Sequence, residues 1–353
     1  MGYHARPVAS GRIAVVGQSD HAMVSRLCAE LRRRGRDVTV VAPDHVAAAV
    51  RGGEVTVSPF YGQQPYAVVM VTISTDQVGA LQGVSALEQT GVPVANTAAS
   101  VMRAADKFVT AVVLARAGVR VPATVAVSSL SAATAQGDRL GYPLVLKAAD
   151  GSEGSQVAMV ADRSALAAEI VRIRASLGLA PSVNSSLIMQ EVVGGGRSGD
   201  RRLFVVGGRV QAAMDRHPRP GEWRSNMSQG ATPHAARPTA AEVWLAEKAA
   251  DALGLAFGTI DLMTDESGPV VIEANSFGDI LDVAMVSGLD LIGALADLAE
   301  TKAGLRADTP IRSRPLGDQE RSDLTDFCED RLRRKLDQLD QLAAAELDCA
   351  VGG

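Results

Sequence analysis

The clearest chemistry lies in two short runs, "FGTIDLMT" (257–264) and "PVVIEAN" (269–275). Strand side chains alternate between faces. Asp261 therefore shares a face with Thr259 and Met263, and Glu273 shares one with Asn275. With "DESGP" as a five-residue loop, Thr264 pairs with Val270, and counting back brings Asp261 opposite Glu273. Two ionised carboxylates about 5 Å apart repel by roughly 3 kcal/mol at an effective dielectric of about 20, and a bare sheet disfavours that pairing. A divalent cation reverses the sign. Magnesium takes carboxylate oxygens and completes its octahedron with water and phosphates, and Asn275 adds an oxygen without adding charge. Asp261, Glu273 and Asn275 are thus a candidate metal-binding set. The plain alternative is a solvated strand end carrying two surface acids.

A second group surrounds Lys147, which closes the apolar run "YPLVLKAAD" and leads into "GSEGS". Small residues such as Gly151, Ser152 and Gly154 let backbone N–H groups approach an anion, and Lys147 supplies a point charge. No G-K-[ST] follows the glycines, so this is not a Walker A loop. It reads as a flap between two strands. "SSLIMQEVV" (185–193) is an apolar strand carrying Gln190 and Glu191. Its edge suits hydrogen bonding to adenine with apolar neighbours on the ring faces; a plain core strand is the alternative. Arg202, Arg216 and Arg224 follow. They suit phosphates or a substrate carboxylate where these lie within reach, and otherwise form a solvated face.

Two kinds of scaffold must hold these groups. "RIAVVG", "DVTVVAP" and "YAVVMVTI", with a helical stretch to about Arg34, give a βαβ rhythm and predict a small parallel sheet over 1–98. Its first loop, "GQSDHA", lacks G-x-G-x-x-G, which argues against a dinucleotide site. One helix is predicted over 99–118, closed by Gly118 ahead of Pro122. From about 140 the texture turns to hairpins, including "RRLFVV-GG-RVQAAMDR" with a two-residue turn. Helices are expected near 164–176, 239–253 and 288–303. The class is α/β followed by α+β. "RADTPIRSRPLGD" reads as a linker. Leu324, Cys328, Leu332, Leu336, Leu339 and Ala343 then repeat at helical spacing, for packing on their own domain or for a subunit contact.

Composition narrows the field. The 353 residues exceed one simple domain, and 47% are apolar with only 3% aromatic. A net charge of −5 disfavours a nucleic-acid binder. Three separated cysteines make no framework and the five histidines show no zinc spacing. "MGYHARPVASGR" has no apolar h-region and no run approaches membrane-spanning length. A cytoplasmic protein without membrane or nucleic-acid partners is expected.

In order and spacing, "ADK" (105–107), "LVLKAADGSEG" (144–154), "MQEVV" (189–193), "GDRRLFVVGGRVQAAMDR" (199–216), "WRSN" (223–226), "GTIDL" (258–262) and "IEANSFG" (272–278) resemble the ATP-grasp superfamily. The nearest branch is the RimK-like (ribosomal protein S6 modification) carboxylate–amine ligases. The resemblance implies an ATP-grasp domain over 99–305, a Rossmann-like pre-ATP-grasp domain over 1–98, and an extension over 306–353. It implies ATP with Mg²⁺ or Mn²⁺ as cofactors. Lys107 and Lys147 would contact phosphates, Gln190, Glu191 and Val192 would hold adenine, and Asp200 would face the ribose. Arg224, Ser225 and Asn226 would lie at the phosphates and the reacting carboxylate. Lys147 and Arg224 would be catalytic, Arg202 and Arg216 would meet substrate, and Asp261, Glu273 and Asn275 would bind the metal. The implied reaction phosphorylates a carboxylate and lets an amine displace the phosphate. Its substrate would be an amino acid, a peptide or a carrier protein, in a homo-oligomeric (dimeric or tetrameric) enzyme. Where the family commonly has Pro and Gly after the E-x-N motif, this chain has Phe277-Gly278-Asp279. The rival of another class is a nucleotide-binding regulator of the same shape without ligation.

Overall fold

The computed structural model describes residues 11–60, 66–73, 77–149, 156–176, 187–196, 199–278 and 280–351. Gly151, Ser152 and Gly154 of the expected flap lie outside the described residues. The chain begins with β1 (Arg12–Val16), α1 (Ala22–Arg33), β2 (Asp37–Val41), β3 (Ala47–Arg51), β4 (Glu54–Ser58), β5 (Val68–Val71), α2 (Val78–Glu88) and β6 (Val94–Ala95). Strands β2-β1-β5-β6 form the expected parallel sheet. The pair β3–β4 is a separate hairpin that periodicity did not reveal. Helix α1 turns Met23, Val24, Leu27, Cys28 and Leu31 inward, the 3.6-residue stripe that buries one face.

The helix predicted over 99–118 is two helices, α3 (Ala98–Ala105) and α4 (Lys107–Arg116). Asp106 leaves helical geometry, and its carboxylate accepts hydrogen bonds from the Phe108 and Val109 N–H groups, which starts a new helix. The break frees the Lys107 N–H to bond the Ala149 carbonyl at 2.9 Å. Lys107 is thereby pinned beside the next sheet.

That sheet contains β7 (Thr124–Val127), β8 (Leu144–Ala148), β9 (Val157–Val160) and β10 (Leu187–Glu191), antiparallel in the order β7-β10-β8-β9. Helices α5 (Leu130–Leu140) and α6 (Arg163–Ser176) cover one face. Alternation divides the side chains. Leu144, Leu146, Met189 and Val160 enter the core under the helices, and Val145, Lys147, Met159 and Gln190 face the other way.

The larger sheet runs β13-β12-β11-β14-β15, antiparallel throughout, from β11 (Asp200–Val206), β12 (Arg209–His217), β13 (Thr232–Ala235), β14 (Phe257–Asp265) and β15 (Gly268–Asn275). One face packs on α7 (Ala240–Leu253), whose start carries a capping box between Thr239 and Glu242. The other face is split. Its apolar half, including Phe204, Met214 and Phe257, joins one core with α1 of the first sheet, α8 (Leu281–Ser287) and α9 (Leu291–Lys302). Its polar half carries Asp200, Arg202, Arg216, Asp261 and Glu273.

The chain ends in α10 (Asp318–Val351). Leu324 and Cys328 are buried on the body, and Arg331 bonds Asp282 of α8 at 2.7 Å. The preceding segment, expected to be a linker, is docked. Ile311 is buried, Gln211 bonds the Ile311 carbonyl and the Ser313 N–H, and Leu289 pairs with Pro315.

Candidate active site

The hairpin β14–β15 sets the carboxylates. The turn is shorter than expected. Asp265 pairs with Gly268, leaving only Glu266 and Ser267, and Thr264 pairs with Pro269 rather than Val270. The register then shifts by one between Asp261 and Leu262, because Ile272 is an extra residue on β15. The two departures cancel, so Asp261 does stand opposite Glu273, and Thr259 opposite Asn275. Such bulges often aim side chains at a site.

The repulsion between these acids is met first by the protein's own cations. Arg202 lies across from Asp261 in the register and grips it with two parallel bonds of 2.8 and 2.7 Å. Arg216 adds a third at 2.8 Å and holds Asp200 through two bonds of 2.6 Å. Asp261 is 0% exposed. Glu273 is half-buried with the Lys107 ammonium 3.8 Å away. Burial by itself would push the Asp261 carboxyl up; Arg202 and Arg216 outweigh it and hold it down at about 2. Burial pushes Asp200 up against the pull of Arg216. The two acids compete for Arg216, and Asp261 stays ionised because Arg202 serves it as well. Burial also lowers the Lys147 pKa, with Glu273 opposing that shift and Lys107 reinforcing it.

Between the two sheets lies a cleft with about 930 Å³ of empty space counted out to its open mouth. It gathers most of the residues singled out from the sequence: Lys107, Lys147, Gln190, Glu191, Val192, Asp200, Arg216, Arg224, Ser225, Asn226 and Glu273 all line it. Val145, Met159, Met263 and Ile272 add apolar walls that pattern reading did not identify. Arg202, Asp261 and Asn275 do not line the cleft; the first two are locked together behind it. Arg224 forms a fork with Glu222, also unforeseen, at 2.9 and 2.7 Å. That bond to Arg224 draws the Glu222 carboxyl down to about 2. The Gln190 amide donates to the Thr124 hydroxyl, and the Glu191 carboxylate accepts from the Ala123 N–H. Of three further residues near the arginine hairpin, Trp223 lines the cleft. His217 stacks on His234 with ring centroids 4.6 Å apart, on the sheet's other face, and Arg219 is exposed.

The charges fit a polyanion. Among the residues that line the cleft, Lys107, Lys147, Arg216 and Arg224 stand against Glu191, Asp200 and Glu273, four cations against three carboxylates. The oxygen donors Asp261, Glu273 and Asn275 are of the hard kind that Mg²⁺ takes. Beside them the Thr259 hydroxyl is buried and has no hydrogen-bond partner among the described residues. Among the described residues no three His, Cys, Asp or Glu side chains cluster as a metal site.

A model of the RimK-like ATP-grasp domain matches residues 104–298. The chain belongs to the RimK-like ATP-grasp family. A probable alpha-L-glutamate ligase 2 of Shewanella sp. (strain MR-4) is 30% identical over 312 residues, 86% of this chain and all of the relative. A probable alpha-L-glutamate ligase of Thioalkalivibrio sulfidiphilus is 35% identical over 61% of this chain and 70% of its own. Among solved structures, the ATP-grasp ligase PsnB with minimal precursor, Mg and ADP superposes with a TM-score of 0.62 at 18% identity. That match covers 85% of this chain and 100% of PsnB. D-cycloserine synthetase DcsG gives 0.62 at 20% identity, over 84% and 100%. The ATP-grasp fold is thus the fold of this chain, and the RimK-like member is an ATP-dependent carboxylate–amine ligase. Among the described residues no helix is long and apolar enough to cross a membrane.

Proposed function

We propose that this RimK-like ligase uses ATP and Mg²⁺ to join the carboxylate of an amino acid or peptide to an amine, with L-glutamate as one partner. The observation that carries the reading is the convergence of Lys107, Lys147, Arg216 and Glu273 on one cleft, with Arg216 bonded to Asp261 of the Asp261–Arg202 pair behind it. The glutamate partner is supported by the names of the relatives.

In this reading the apolar walls from Val145, Met159 and Ile272 grip the adenine, and the main chain at 190–192 supplies its hydrogen bonds. Lys107 and Lys147 offset phosphate charge. Lys147 emerges from an apolar strand and is partly desolvated, which strengthens its pull on an anion. Asp261, Glu273 and Asn275 would hold Mg²⁺, which when bound neutralises phosphate charge as a Lewis acid. Arg224, oriented by Glu222 at the cleft wall, would meet the phosphorylated carboxylate. It supports the negative charge that builds up when the amine attacks the acyl carbon. Arg202 and Arg216 keep Asp261 ionised and aimed before substrate arrives, which leaves positioning as the main contribution of the chain. In this reading the N-terminal domain, 1–98, would contribute the acceptor side and the ATP-grasp domain, 99–305, the nucleotide side.

ADP release with ATP, Mg²⁺ and single amino acids in turn tests the proposal. Release that depends on glutamate and yields a new amide by mass spectrometry is expected. Release with other carboxylates and none with glutamate contradicts the choice of partner.

A further inference from the structure

Asn96 lies outside the cleft, directly after the edge strand β6 of the N-terminal sheet, and it is 0% exposed. Its side chain spends its whole hydrogen-bonding capacity on the main chain of the metal hairpin. The amide nitrogen donates to the Phe257 carbonyl at 2.8 Å and the Ser276 carbonyl at 3.0 Å. The amide oxygen accepts from the Ala256 N–H at 2.7 Å and the Phe257 N–H at 3.2 Å. Two donors and two acceptor sites are all that an amide side chain offers. Phe257 opens β14, and Ser276 follows Asn275, the last residue of β15. The final ladder pair is Thr259 with Asn275. Beyond it, among the described residues, this one side chain bonds the main chain of both strands.

We infer that Asn96 is a positioning residue for the metal ligands: it fixes the open end of the β14–β15 hairpin, and with it the amide of Asn275. The inference rests on the proposed metal role of Asn275. The fit there is tight. A Cβ on Gly258 would come within 2.5 Å of the Asn275 carbonyl, and one on Gly278 within 2.6 Å of the Thr259 hydroxyl. A ligand set held this closely tolerates little movement, and lost support around a metal site typically costs about 10- to 100-fold in metal affinity. The N-terminal sheet thus acts at the metal site through one amide.

Asn96→Asp keeps the shape and the acceptor oxygen but loses both donated bonds. Mn²⁺ affinity, read by electron paramagnetic resonance with AMP-PNP present, is expected to fall about 10- to 100-fold, while AMP-PNP affinity in EDTA stays within about two-fold of wild type. Gly258→Ala presses on the same junction from the hairpin side and gives the same split if Asn96→Asp does not fold. Wild-type Mn²⁺ affinity in either folded variant overturns the inference. So does an equal loss of both affinities, the mark of a general structural role. Asn275→Ala separates the two levels. If it keeps wild-type Mn²⁺ affinity, the metal assignment itself fails. If it loses affinity while the other two variants do not, only the role of Asn96 fails.

Discussion

Replacing Asp261 by Asn is the most informative single change, because the carboxylate serves two partners in turn. In the structure it neutralises Arg202 and Arg216 through three bonds of 2.8, 2.7 and 2.8 Å, with no exposure to solvent. Breaking a buried ion pair by removing one partner costs about 3–5 kcal/mol. The Asn oxygen keeps one acceptor, and Arg216 keeps Asp200, so the lower figure applies. Asp261→Asn is expected to lose about 3 kcal/mol of stability in urea unfolding at neutral pH. Arg202, left without its carboxylate, then attracts a polyanion. Metal-free AMP-PNP is therefore expected to stabilise the variant more than it stabilises wild type. Mg²⁺-dependent ADP release is expected to vanish. Stability within about 0.5 kcal/mol of wild type, the range of an ordinary surface change, would refute the buried-pair reasoning. Normal ADP release would refute the catalytic part.

Further expectations follow the same geometry. Lys147→Met is expected to lower the turnover number by about 10²- to 10³-fold, the usual cost of one preorganised charge-stabilising group; full turnover in a folded variant contradicts its role. Val145→Trp fills the adenine walls and is expected to raise the KM for ATP without changing the fold by circular dichroism; an unchanged KM places the base elsewhere. Glu222 titrates at about 2 rather than at its ordinary 4.5, chiefly through its bond to Arg224. A depressed folded-state value means that its contribution is present above pH 4.5 and lost as pH falls toward 2. Glu222→Gln is expected to flatten that part of the acid-stability curve, and an unchanged acid limb counts against the Arg224–Glu222 fork.

Much of the site was legible because its residues sit in short local patterns. Strand alternation alone places Asp261 with Thr259, and Glu273 with Asn275. The Gly207-Gly208 turn defines the arginine hairpin, and Val206 does pair with Arg209. What stayed hidden depends on contacts between distant segments. The Asp106 break looks helical in sequence, and only its cap, with the bond from Lys107 to Ala149, shows why one helix becomes two. The short turn and the Ile272 bulge are invisible to a count of residues, since their errors cancel at Asp261. The arginine partners of Asp261 lie 59 and 45 positions away along the chain, so charge repulsion alone pointed to a metal and gave no sign of the guanidinium groups. Asn96 gave no signal, because a single buried amide looks like any loop Asn. The docked segment around Ile311 looked like a linker, because Pro and charge content report local chain preference and not burial.

The central claim is that Asp261, Glu273 and Asn275 converge on one divalent ion beside a triphosphate. A crystal structure with AMP-PNP and Mn²⁺, read by the anomalous signal of the manganese, tests it directly. The account predicts one manganese peak bonded to oxygen from all three side chains, with Lys107 and Lys147 on the phosphates. A bound nucleotide with Asp261 still held by both arginines and no manganese on the hairpin would contradict it.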